Sequence, residues 1–219
     1  MKNICRYAIG FLSLSLACLA QDTPWWELHG GFQFTNSQNG RIQDVVNSVT
    51  SSTGLPAVTV QTRANMIGWD FSAQENVNSW FGAIVDFSGG YGTKHVSLFQ
   101  PEGSRIAATF KPNIFTMGGG PQFSFRRNDH IQPFFRTIFA AAYSNLNPDT
   151  GTANILNTKY PPLGTSVTNL ALIFGGGLDY RLKSYACFRV AGDYLHTFVF
   201  ERSESNFRLT AGITFRIRR

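Results

Sequence analysis

Beyond its first twenty residues this chain has almost no cysteine, little charge and no long apolar run. Cys5 and Cys18 lie in that opening segment, and Cys187 stands alone in the remainder. One thiol cannot form an internal disulfide, and a cysteine-built metal site is excluded for the same reason. Charged residues make up only 15% of the chain while Phe, Trp and Tyr reach 14%, a balance foreign to disordered segments. Leu, Lys and Glu do not dominate, so a helical bundle is not expected. No later run approaches the roughly 20 apolar residues of a membrane-crossing helix. The glycine triplets at 118–120 and 175–177 match neither a Walker nor a dinucleotide pattern. In strands such glycines permit bends and close packing. No metal, no cofactor and no catalytic residue is expected from these features.

Residues 1–7 carry Lys2 and Arg6 and no acid, and residues 8–20 are thirteen mostly apolar residues ending in Ala20. A short apolar run behind a positive start, closed by small residues, reads as a secretory signal peptide. Residues 1–20 are therefore expected to be removed, leaving 21–219 as one domain. Cys18 is not expected to carry a lipid, because Ser15 stands where an aliphatic residue is usual. Removal takes away Lys2 and Arg6 and brings the whole-chain charge of +6 down to +4. So modest a charge argues against nucleic acid as a partner.

The rest has a period of two, which in a strand sends alternate side chains to opposite faces. Eight such segments occur, at 26–35, 64–74, 79–92, 113–126, 131–143, 168–180, 185–198 and 206–217. In the last, Phe207, Leu209, Ala211, Ile213, Phe215 and Ile217 oppose Arg208, Thr210, Gly212, Thr214 and Arg216. Ile84, Phe134 and Ile138 break the pattern by standing on the polar side, and Thr137 by standing on the apolar one. Connections 75–78, 127–130 and 181–184 are tight and polar, whereas 36–63, 93–112 and 144–167 are long and 199–205 is intermediate. Long loops on one side and short turns on the other predict an eight-stranded antiparallel up-and-down transmembrane β-barrel, with strand eight pairing to strand one.

A soluble barrel would turn the apolar face inward and a membrane barrel outward. Three features favour the membrane, the first being that the long loops lie on a single side. Glu27, Asp70, Asp86, Asp179 and Asp193 share the polar face with Arg136, Arg189 and Arg208, an odd coat for a soluble domain. Aromatic residues collect at segment ends: Trp25, Trp26, Trp80, Tyr180, Tyr185 and Phe215 toward one rim, Phe34, Tyr91, Tyr143 and Phe198 toward the other. Paired aromatic girdles mark the two interfaces of a membrane barrel.

Residues 65–72 (NMIGWDFS), 80–92 (WFGAIVDFSGGYG), 118–125 (GGGPQFSF), 132–145 (QPFFRTIFAAAYSN), 175–182 (GGGLDYRL) and 206–215 (NFRLTAGITF) resemble the OmpA-like β-barrel family of bacterial outer-membrane proteins. The resemblance covers residues 25–217. It implies a monomeric barrel domain in the outer membrane of a Gram-negative cell, with the N-terminus in the periplasm and long loops outside. It also implies lipid and lipopolysaccharide as surroundings, and insertion by the outer-membrane assembly machinery, which reads an aromatic-ended last strand. Here Ile217, Arg218 and Arg219 follow Phe215, so the final residue is not aromatic. The peptidoglycan-binding domain of larger relatives is not expected.

Five inward carboxylates against three inward arginines would form an internal salt-bridge network, because buried charges must pair. Such a network either plugs the barrel or gates a narrow ion path, and the surplus of carboxylates would make that path cation-preferring. A lipid-modifying enzyme is the third reading. His29 and Asp70 face inward and could meet; His196 falls on the apolar face, and His95 and His130 complete the histidines. Lys111, Arg126 and Arg127 are expected at membrane edges, facing lipid phosphates. The loops are the expected place for any surface ligand. The leading expectation is a non-enzymatic protein serving envelope integrity or surface interaction.

Overall fold

The computed structural model of the protein describes residues 23–38, 40–53, 63–99, 105–148, 166–198 and 203–218. The expected signal peptide at 1–20 lies outside the described residues. Among these residues nine strands and one helix follow in chain order: β1 (Trp26–Gln38), α1 (Gly40–Thr53), β2 (Arg63–Asn76), β3 (Phe81–Gly92), β4 (Lys94–Phe99), β5 (Arg105–Ser124), β6 (Ile131–Pro148), β7 (Ser166–Lys183), β8 (Ala186–Phe198) and β9 (Ser203–Ile217). Both β3 and β4 pair with β5, so they act as one stave interrupted at Thr93. Eight antiparallel staves result. β1 pairs with β9 through Phe32↔Ala211 and its neighbours, and the sheet closes on itself.

Alternation decides the two faces. Along β2 the even positions from Ala64 to Asn76 are buried except Gly68, while Ile67, Trp69 and Phe71 point out. Phe32 is 80% exposed, Ile67 69% and Met117 63%, values that no water-facing domain sustains around its whole girth. The barrel is apolar outside and polar within. Ile84, Phe134 and Ile138, the exceptions to the polar face, do point inward and are buried. With Met66, Ile114, Ile173 and Leu195 the two isoleucines form an apolar tier inside the barrel, lined further by Ala140, Ala142 and Ala171.

The short turns lie at one end. In two of them an asparagine organises the chain: Asn78 Oδ1 accepts from the amides of Trp80 (3.0 Å) and Phe81 (2.8 Å), and Asn128 Oδ1 accepts from His130 (2.8 Å). Between β7 and β8 only Ser184 and Tyr185 intervene.

At the other end the structure departs from the sequence reading. The connection expected at 93–112 contains β4 and the first part of β5, and Ser144–Pro148 extends β6. β5 has 20 residues, about twice what a tilted strand needs to cross a bilayer. The ladder continues here while the hydrophobic alternation stops, because the outward positions are now Arg63, Thr109, Lys111, Asn113 and Asn145. Connection 36–63 likewise holds the last residues of β1 and the helix α1. Ile42, Val46 and Thr50, spaced four apart, are buried. No described helix is long and apolar enough to cross a membrane.

Replacing Asn78 by Ala removes the acceptor for two backbone amides. Urea unfolding followed by tryptophan fluorescence should show a loss of about 1–2 kcal/mol, with the barrel still closing.

Candidate functional site in the barrel interior

Each inward charge is placed by parity on its strand and faces a neighbour across the ladder. Near the short-turn end, Asp179 on β7 stands opposite Arg189 on β8. The guanidinium grips the carboxylate with two parallel hydrogen bonds, Nε to Oδ1 at 2.7 Å and Nη2 to Oδ2 at 2.8 Å. It also donates to Glu27 Oε2 at 3.1 Å and lies 4.5 Å over the Phe134 ring. Arg216 adds contacts of 3.4 Å to both Glu27 and Asp179, and donates to Gln132 Oε1 at 2.7 Å. Arg126 reaches Glu27 Oε1 at 2.9 Å, Asn76 Oδ1 at 2.8 Å and the Ser79 carbonyl at 2.8 Å.

A second cluster sits midway up. Arg136 holds Asp193 in the same bidentate way, at 3.1 and 2.7 Å. Arg208 bridges Asp193 (2.8 Å), Asp86 (3.0 Å) and Asp70 (3.4 Å), and takes Ser88 Oγ as a further acceptor at 3.0 Å. Asp70 completes the group against His29 Nε2 at 3.3 Å, while His29 Nδ1 meets Thr214 Oγ1 at 3.2 Å. Gly175 makes room here: a Cβ at that position would collide with the Asp193 carboxylate. Arg136 is 0% exposed and Arg189 and Arg208 are 1%.

Two members escaped the sequence count. Arg126 was expected at a lipid-facing edge; it instead turns inward and is buried, while Arg127 and Lys111 are exposed. Arg216 stands on the polar face by parity but is not among the three arginines expected in the network. Their parity was the available signal, since both alternate in step with Ser124 and Thr214. With them the buried charges among the described residues are five carboxylates and five arginines rather than five and three, so these residues show no carboxylate surplus of the kind a cation-preferring path would use.

The remaining histidines are dispersed. His95 is exposed and hydrogen-bonded to Thr109 at 3.0 Å. His196 faces outward, stacked on Tyr194 and edge-on to Phe198. Ser72 lies across the ladder from His29, yet its hydroxyl makes no hydrogen bond, so no base-activated nucleophile is assembled there. Among the described residues no group of His, Cys, Asp or Glu could hold a metal ion. The aromatic residues noted at the segment ends lie outward at the two ends of the barrel. Trp80, Tyr180, Tyr185 and Phe215 are exposed toward the short turns, and Tyr91, Tyr143 and Phe198 toward the opposite end. Trp25 and Trp26 pack edge to face at 6.3 Å beside the end of β9.

Arg189→Met should cost about 3–5 kcal/mol, because it leaves Asp179 and Glu27 short of a partner in a buried site. Adding Asp179→Leu should restore part of that loss. Urea titration of the four proteins of the cycle should give a coupling of about 1–3 kcal/mol.

No protein-family model matches the chain, and no curated protein matches it. Solved structures do. The crystal structure of Neisserial surface protein A is 11% identical with a TM-score of 0.57, covering 88% of this chain and 97% of that one. The outer-membrane protein OprG from Pseudomonas aeruginosa is 11% identical with a TM-score of 0.52, covering 91% and 98%. Ail, the attachment invasion locus protein of Yersinia pestis, solved with the heparin analogue sucrose octasulfate, is 12% identical with a TM-score of 0.50, covering 88% and 99%. At such identities the likeness is one of fold, and this chain has the closed eight-stranded antiparallel β-barrel of outer-membrane proteins.

Proposed function

We propose that this is a monomeric, non-enzymatic outer-membrane barrel, closed to ions, that acts in envelope integrity or surface interaction through its extracellular end. Export under residues 1–20 and insertion by the outer-membrane assembly machinery belong to the same reading. The observation that carries it is the filled interior. Two ion-pair clusters and an apolar tier occupy the space that a conducting pore needs, and an eight-stranded barrel is only wide enough for side chains. The apolar exterior suits lipid, and the aromatic residues at its two ends suit the interfaces. What remains free to meet a partner is the end where strands run past the bilayer. Ail was solved in complex with a heparin analogue; an anionic surface ligand would suit the exposed Arg63 and Lys111 at the long-strand end of this chain.

A second reading, a narrow ion-conducting pore, draws on one feature. Gln33 Oε1, Thr35 Oγ1, Ser72 Oγ and Thr210 Oγ1 are buried along β1, β2 and β9 without hydrogen-bond partners in the protein. Buried polar atoms of this kind are satisfied by internal water, and a file of water is the beginning of a path. The geometry favours the closed barrel, because Arg208 bridges three carboxylates across that file.

Folded protein in a planar bilayer should give no discrete conductance steps. Arg136→Ala with Arg208→Ala should open small steps while surface binding is unchanged. Regular steps from the unmodified protein would put the pore first.

A further inference from the structure

We propose that the barrel passes protons, though no other ion, along a single file of water held against its polar inner wall, with His29 as the relay partway along it. The proposal rests on the closed-barrel reading above and adds an activity to it.

The bore has two unlike walls. Ile138, Ile173 and Leu195, on β6 to β8, make one side apolar. The other side, on β9, β1 and β2, is polar, and several of its buried acceptors have no hydrogen bond among the described residues. From the long-strand end, Thr35 Oγ1, Gln33 Oε1 and Thr210 Oγ1 come first. Both Asp70 oxygens and Ser72 Oγ follow, then Gln74 Oε1. Register sets this order: Gln33 is the ladder partner of Thr210, Gly31 of Asp70, His29 of Ser72 and Glu27 of Gln74. Gly31, its partner Gly212 and Gly68, opposite Gln33, put no side chain in the way. Residues sharing a face lie about 7 Å apart along a strand and about 5 Å apart across a ladder. One water with hydrogen bonds of about 2.8 Å to either side spans roughly 5.6 Å, so single waters join these groups into a chain. That chain runs from one aromatic girdle to the other. Thr35 at its upper end follows Phe34, which shares a row with Ile67 and Tyr91. Gln74 at its lower end faces Glu27, next to Leu28 and its partner Phe215.

His29 interrupts the file with a group that takes a proton on one side and gives one up on the other. Its Nε2 lies 3.3 Å from Asp70 Oδ1 and its Nδ1 3.2 Å from Thr214 Oγ1. A proton bound at one ring nitrogen is matched by one released from the other, and a half-turn of the ring resets it. The ring gains and loses one proton per passage, with no net change. Asp70 connects the ring to the upper file, and Thr214 and Ser72 flank it on β9 and β2 above Glu27 and Gln74. Local charge permits the approach, because the middle cluster sets Asp70, Asp86 and Asp193 against only Arg136 and Arg208. The same cluster stops other ions. Arg208 reaches Asp86 at 3.0 Å and Asp193 at 2.8 Å across the bore, which excludes an ion with its hydration shell. A proton needs no such room, since it moves by exchange between hydrogen-bonded partners.

Protein extracted folded from outer membranes, and checked by the heat-dependent gel mobility shift, is placed in vesicles filled with the pH dye pyranine. A potassium gradient with valinomycin then drives protons inward. The vesicles should acidify faster than protein-free ones, while the same protein in a planar bilayer bathed in potassium chloride stays silent. His29→Gln keeps a polar side chain between Asp70 and Thr214 but cannot relay, so its rate should fall to that of protein-free vesicles. Thr210→Val changes a hydroxyl for a methyl and breaks no ion pair, and it should slow acidification as well; it decides the matter if His29→Gln fails the gel test. Acidification no faster than in protein-free vesicles overturns the proposal. Equal rates in the unmodified protein and folded His29→Gln overturn the relay, and an unchanged rate in Thr210→Val overturns the file. With a silent planar bilayer, each of these leaves the closed barrel standing. Discrete steps in potassium chloride overturn the closed barrel, and this proposal with it.

Discussion

Hydrocarbon offers no hydrogen-bond partner, and everything else in this molecule follows from that constraint. Each backbone amide and carbonyl at membrane depth must find its mate within the sheet, so the sheet must close. Here closure is the long ladder between β1 and β9, from Trp26↔Ile217 to Asn36↔Phe207. Closure in turn creates an interior that neither bulk water nor lipid fills. Eight staves leave a bore that side chains must occupy. Among the described residues the chain fills it with five arginines and five carboxylates, tied in part by bidentate pairs, and with a tier of isoleucine, leucine, methionine and alanine.

Charge in that interior does something an apolar filling could not. On the exterior one phenylalanine or leucine is much like another, so a slip of two residues between strands would keep every face correct and cost lipid contact little. The same slip inside would carry Arg208 away from Asp193, or Asp179 away from Arg189. A buried charge stripped of its partner costs several kcal/mol. The outward pattern therefore selects the face, and the inward pairs select the register. Gly175, opposite Asp193, belongs to the same arrangement, since only glycine leaves room for the carboxylate to lie against the strand.

Much of this was legible in the alternation alone. All eight staves fall on period-two segments, because lipid outside and polar side chains inside reinforce one another at every step. The signal faded where one of the two solvents changed. Above the bilayer the exterior meets water, so Thr109, Lys111 and Asn113 replace phenylalanine and the continuing strand looks like loop. Helix α1 was invisible for a related reason: its Ser, Thr and Asn content reads as loop, and only the buried spacing of Ile42, Val46 and Thr50 marks a covered face. Arg126 misled because it lies just past β5, where an arginine ordinarily turns to headgroup phosphate. Its partner Glu27 comes from the far end of the chain, and no local pattern announces a contact across 99 residues.

The wall and the bore also divide the chemistry between them. Inside, each buried arginine meets a carboxylate, and the atoms left without a hydrogen bond in the protein are hydroxyl and amide groups together with the Asp70 oxygens, His29 Nε2 and two Arg216 nitrogens. Outside, Arg63 and Lys111 stand exposed at the long-strand end. A cation on an exposed strand costs nothing in water, but the same residue at an anionic membrane surface is attracted to it. On the reading proposed above, the paired charges within close the bore and leave the long-strand end as the surface that meets a partner.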